Sequence, residues 1–163
     1  MKEGPVIYFR PAALEDCRKI FDWRNNPAAR DNSLSSEPVS WQDHERWFKA
    51  KVFDPKTLFY VLLAENEKPV GQIRIDLDGS EGIISITVAP EARGRGYGDK
   101  GLKAVVDHIF QEKRLSRLVA LVKEDNVSSQ KIFSNNSFIP NGKRLVGGRS
   151  FLEFERLINI EQI

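Results

Sequence analysis

Apolar positions recur along the chain in two rhythms, and the switch between them divides it into elements. Val6 to Phe9 is apolar and β-prone, and Pro11 closes it as an extended segment. Leu14, Cys17, Ile20, Phe21 and Arg24 then share one helical face, and that helix ends before Pro27. Residues 27–39, rich in Asn, Ser and Pro, are expected to be loop. A second helix opens at Ser40, which with Asp43 resembles a capping box, and its inner face is His44, Trp47, Phe48 and Lys51. From Leu58 the period becomes that of strands. Leu58–Ala64 and Val70–Leu77 flank a turn at residues 66–69, and Gly82–Val88 follows, ended by Pro90. Leu102, Val105, Val106, Ile109 and Phe110 mark an amphipathic helix. Leu118–Val122 is a short buried strand, and a helix spans about Asn126 to Asn135. A turn at Asn141-Gly142 and a strand within Arg149–Ile158 close the chain. The order predicts a mixed α/β sheet with a βαβ crossover in its middle.

No repeat or linker interrupts this series, and 163 residues is the length of one domain, 1–163. With 40% hydrophobic and 29% charged residues, collagen-like and disordered classes are excluded. A net charge of +2 does not indicate a nucleic-acid binder. Cys17 is the only cysteine, with no Cys or His neighbours at metal-ligand spacing, so no metal is expected and the thiol reads as buried and structural. The start lacks the apolar core of a signal peptide, and no apolar stretch approaches a membrane span. A soluble, cytoplasmic protein is expected; a homodimer is left open.

The chemistry concentrates in Arg93-Gly94-Arg95-Gly96-Tyr97-Gly98, between a strand and a helix. Three glycines let the backbone turn tightly and approach a ligand. The helix start adds unpaired N–H groups and a partial positive charge, and Arg93 and Arg95 reinforce it, which makes a cradle for phosphate. The Walker pattern fails because no Gly-Lys-Ser/Thr follows, and the Rossmann pattern fails because position 99 is Asp.

Arg-x-x-Gly-x-Gly does match the acyl-CoA pyrophosphate loop of the GNAT superfamily of N-acetyltransferases. The resemblance extends to Phe9-Arg10-Pro11-Ala12, to Ile84–Pro90 before the loop, and to the block from Val122 through Asn126, Ser129, Ile132 and Phe133 to Phe138. It implies a mostly antiparallel twisted sheet flanked by about four helices, with acetyl-CoA entering a V between two splayed strands, those ending at Val88 and at Val122. Pantetheine amides would pair with backbone near Ile86 and Val88. Gly94 to Gly98 would hold the pyrophosphate, with Arg93, Arg95 and Tyr97 in the same loop. Asn126, Ser129 and Phe133 would line the arm. A backbone N–H near Val88 would serve as the oxyanion-type donor. Two positions depart from the family. Phe133 stands where many relatives have an acidic Tyr; Tyr8, Tyr60, Tyr97, Ser129, Ser134 or water are the possible substitutes. Ser137 stands in place of Gly, and Asn136 is expected to supply a left-handed turn beside it.

For the acceptor, strand parity puts Glu81, Ile83, Ser85 and Thr87 on one face, which makes Glu81 and Ser85 candidates for a base or water relay; Glu81 also fits a solvated turn. Gln72, Arg74 and Asp76 form a similar polar row, either solvent-facing or a cleft wall. Trp23-Arg24-Asn25-Asn26-Pro27 and His44-x-x-Trp47-Phe48 resemble the GNATs of pseudaminic-acid biosynthesis, which acetylate the 4-amino group of a UDP-linked sugar. That resemblance implies substrate contacts from Arg24, His44, Trp47 and Arg74, with a nucleotide-linked amino sugar as partner. His44, Trp47 and Phe48 equally fit a core, and Arg24 a helix end. A protein N-terminus or a small amine is the alternative acceptor, and a non-catalytic acyl-CoA-binding module is the alternative class.

Overall fold

The computed structural model describes residues 4–112 and 115–158. Strand β1 (Ile7–Pro11) leads through a 3-10 turn at Leu14–Asp16 into α1 (Cys17–Arg24). The Asp16 carboxylate holds this corner: it accepts from the Ala13 N–H at 2.8 Å and from Arg10 at 2.7 and 2.9 Å. Then come α2 (Pro27–Asn32), α3 (Trp41–Phe53), β2 (Thr57–Ala64), β3 (Pro69–Asp78) and β4 (Glu81–Val88). The chain finishes with α4 (Tyr97–Glu112), β5 (Arg117–Val122), α5 (Val127–Asn135), β6 (Ile139–Val146) and β7 (Arg149–Leu157).

The seven strands form one sheet in the order β1-β2-β3-β4-β5-β7-β6. Only β4 and β5 run parallel, as the intervening helix requires. Helices α4 and α5 cover one face, where Leu102, Val105, Val106 and Ile109 are buried among Leu62, Ile73, Ile75 and Ile84. Helices α1 and α3 cover the other, where Phe48 meets Phe59 edge-on at 5.5 Å. No helix among the described residues is long and apolar enough to cross a membrane.

Four details differ from the sequence expectation. Residues 27–32 form α2 rather than loop, because Pro27 occupies the first turn and the Asn26 side chain accepts from the Ala28 N–H at 3.2 Å. Leu14 is exposed, since it falls in the 3-10 turn, and Trp23 takes the core position. Asn141-Gly142 is not the last turn: it sits at a bulge within β6, and Gly147-Gly148, both with positive φ, make the hairpin. After α5 it is Ser137, at φ +67°, that turns left-handed, while Asn136 stays at φ −104°. Asn136 instead donates from its buried amide to Asp99 Oδ1 and to the Ile132 carbonyl, both at 2.8 Å, tying α5 to the first turn of α4.

Candidate active site

Strands β4 and β5 pair only from Glu81–Arg117 to Ile83–Val119, and beyond that point they part. Ala89 N–H donates to Val70 O at 2.8 Å, so odd-numbered residues of β4 hydrogen-bond to β3. The main-chain groups of Ile86 and Val88 therefore face the opening gap, while the Ile84 N–H closes its vertex in the pairing with Val119. On the other side, Ile158 N–H donates to Ser116 O, and the same alternation turns the main chain of Val119 and Leu121 toward the gap. From Val88 inward to Ile83 the gap is about 17 Å deep, at roughly 3.3 Å per residue.

The glycine loop stands at the mouth of this gap. Gly94 and Gly96 have φ of +73° and +85°, a region costly for any residue with a Cβ, and nothing lies within 4 Å of where a Cβ on Gly94 would be. Gly98 serves a different purpose. A Cβ there would come within 3.0 Å of Ile132 and 3.1 Å of Val88, so its absence lets α4 settle against β4 and α5. The first N–H groups of α4 point out of its start without intrahelical acceptors. Arg93 reaches back to the Val88 carbonyl at 3.4 Å, and Arg95 lies over the Tyr97 ring. Asn126 caps α5 across the gap: it accepts from the Ser129 N–H at 3.2 Å and donates to Ser129 Oγ at 3.0 Å. Splayed strands with free main-chain groups, an open left-handed glycine loop and a helix start fit an acyl-CoA molecule. Ile86, Val88, residues 93–98 and the Asn126–Ser129 cap would hold it.

Phe133 is buried and packs edge-on against Phe138 at 5.1 Å, so it belongs to the core between α5 and the sheet. His44 is likewise fully buried. Its Nε2 lies 3.0 Å from the Cys17 carbonyl, and Phe21, Trp41, Trp47 and Phe48 surround its ring. The structure thus places His44 in the joint between α1 and α3, not in a substrate wall. Burial holds its pKa below the usual value, against the opposing pull of the Cys17 carbonyl. Burial also pushes the Cys17 thiol up, as expected of an inert core cysteine.

The opposite face of β3 and β4 carries the acceptor candidates. Ser85 pairs with Arg74 and Thr87 with Gln72, whose amide donates to Thr87 Oγ1 at 3.1 Å. Glu81 is engaged at both oxygens, 3.1 Å from Arg117 and 3.3 Å from Arg144. These arginines also bind Glu153, and Arg117 binds Glu155 at 2.6 Å, so a network spans β4 to β6. That network escaped the sequence reading, because its members lie up to 74 positions apart, from Glu81 to Glu155. Arg24 and Arg74 both lie over the Trp47 indole.

A family model described as an acetyltransferase (GNAT) domain matches residues 7–139. Comparison with curated protein sequences found no match. Among solved structures, the chain resembles spermidine N-acetyltransferase from Vibrio cholerae, in complex with CoA and spermine, at TM-score 0.82 and 18% identity, covering 93% of this chain and 95% of that one. An aminoglycoside acetyltransferase in complex with coenzyme A gives TM-score 0.81 at 14% identity, with 93% and 95% covered. A ribosomal-protein α-N-acetyltransferase with coenzyme A gives 0.80 at 16%, with 93% and 94% covered.

Proposed function

The chain belongs to the GNAT acetyltransferase family, and we propose that it transfers the acetyl group of acetyl-CoA to a primary amine, that of a nucleotide-linked amino sugar. The observation that carries the donor half is the gap between β4 and β5, with the main chain of Ile86 and Val88 turned into it. Bound there, acetyl-CoA supplies an activated thioester. The N–H groups of residues 94–98 and the Arg93 and Arg95 guanidiniums hold its pyrophosphate. Val88 lies nearest that loop, so its main chain meets the arm. The Ile86 N–H, one step deeper, is better placed than Val88 to stabilise negative charge developing on the carbonyl oxygen.

An attacking amine has to be neutral, and its proton leaves through the polar row of Ser85 and Thr87 to water. Glu81 anchors this face through its two arginines, and this reading gives the base role to water behind Ser85 and Thr87. Phe133 has no proton to give, and a CoA thiolate leaves without one. The polar, cation-bearing face of β3 supports an anionic amino sugar over a polyamine. The test is a thiol-release screen with UDP-amino sugars, peptides and polyamines. Release with the nucleotide sugar is expected. Release with peptides alone would move the acceptor to a protein N-terminus, and CoA binding without release on any amine would make the chain an acyl-CoA-binding module.

A further inference from the structure

Two guanidiniums converge on one indole. Arg24, at the end of α1, lies 4.7 Å from the Trp47 ring centroid, and Arg74, on β3, lies 4.9 Å from it. An indole face attracts a cation, yet two cations beside one ring repel each other. Arg74 is compensated: its Nε donates to Asp76 at 3.0 Å, and Asp76 also receives Lys51 at 2.8 Å. Arg24 has no carboxylate within ion-pair distance among the described residues, and both burial and Arg74 act against its charge. Farther along this face Glu81, Glu153 and Glu155 share two arginines, Arg117 and Arg144. The positive surplus is local to Trp47, where Arg24, Arg74 and Lys51 gather around the single carboxylate of Asp76, beside Ser85, which pairs with Arg74. Ser85 lies two residues from the vertex of the gap at Ile83, about 7 Å along the strand.

We propose that Arg24 and Arg74 form an anion subsite, so that the acceptor is an amine carrying a phosphate or carboxylate and polycations are turned away. This rests on the acetyltransferase reading, with the amine at the vertex and its anionic group against Trp47. A planar guanidinium pairs with phosphate or carboxylate through two parallel bonds, and a half-buried cation without a counter-charge gains most from such a partner. A polyamine would bring a second ammonium against the same two cations. The structurally similar Vibrio cholerae enzyme, by contrast, holds spermine.

The test is isothermal titration of the full chain saturated with CoA, so that the glycine loop is filled and a second anion has to bind elsewhere. The probes are UDP, glucosamine 6-phosphate and spermidine. At least one of the two anions is expected to bind. UDP binding marks a nucleoside diphosphate as the anionic group, and binding of glucosamine 6-phosphate alone marks a sugar phosphate. Arg24→Gln and Arg74→Gln should each weaken that binding about ten- to a hundred-fold. Arg24→Lys, which keeps the charge and loses the fork, should fall between. Binding of neither anion, tighter binding of spermidine, or unchanged affinity in both Gln variants at an unchanged melting temperature would overturn the proposal. If CoA itself does not bind, the donor reading fails instead, and the same titration without CoA still decides the subsite.

Discussion

Ile86 and Val88 offer main-chain groups to the gap on one side of the proposed reaction centre, whereas Arg24, Trp47 and Arg74 offer side chains on the other. The donor side is built from one continuous stretch, a strand followed by a glycine loop and a helix start. Its chemistry depends on backbone conformation, so exchanging side chains tunes it little, and residue type is restricted chiefly at Gly94, Gly96 and Gly98. The acceptor side is assembled from α1, α3 and β3, and its chemistry depends on which side chains those elements bring together. A fold of this kind can keep one donor and change acceptors by exchanging side chains alone.

The largest effect that would break this contrast lies in the loop. Gly96→Val forces a β-branched residue to φ +85°, at a cost of about 1–3 kcal/mol, and acetyl-CoA affinity should fall about ten- to a hundred-fold by titration. Arg24→Gln in the same assay should leave acetyl-CoA affinity unchanged. Glu81→Gln should lower turnover less than about tenfold, because its carboxylate is held by Arg117 and Arg144. A loss of roughly 10²–10⁴-fold would make it the base.

His44 sharpens the contrast through pH. Burial lowers its folded pKa, so the unfolded chain takes up a proton near pH 6.5 while the folded chain resists it. Its stabilising contribution is complete above about pH 6.5 and is lost as pH falls below that value. The melting temperature should drop between pH 7 and pH 5, and His44→Leu should flatten that slope. Asp16 and Asp76, with lowered pKa values despite burial, lose their contribution only as pH falls below about 4. The smallest effect is Ser137→Gly. Relief of the left-handed φ of +67° should raise stability by about 0.5–1 kcal/mol, or about 2–3 °C in melting temperature.

The elements of the proposed donor side were legible in the sequence because their signals are local: alternation along Gly82–Val88, three glycines, then a periodic helix. The family resemblance implied the splay, and the register at Ile83–Val119 shows it. The acceptor side was legible only as a list of candidates. His44 and Trp47 lie on one face of α3, and helical spacing alone does not tell a residue packed on Cys17 from one that meets two arginines. Glu81 reads as a free carboxylate until β6 and β7 fold back and bring Arg144 to it. The short α2 was missed because a single turn capped by Asn26 has no periodicity to detect.

Residue-resolved amide exchange with and without acetyl-CoA tests the central claim most directly. The Ile86 and Val88 amides, which face the gap and have no strand partner there, should exchange readily in the free chain. With saturating acetyl-CoA they and the amides of residues 94–98 should slow by at least about tenfold, while those of Arg24 and Trp47 stay as they were. Unchanged exchange at Ile86, Val88 and the loop at saturation would contradict the account.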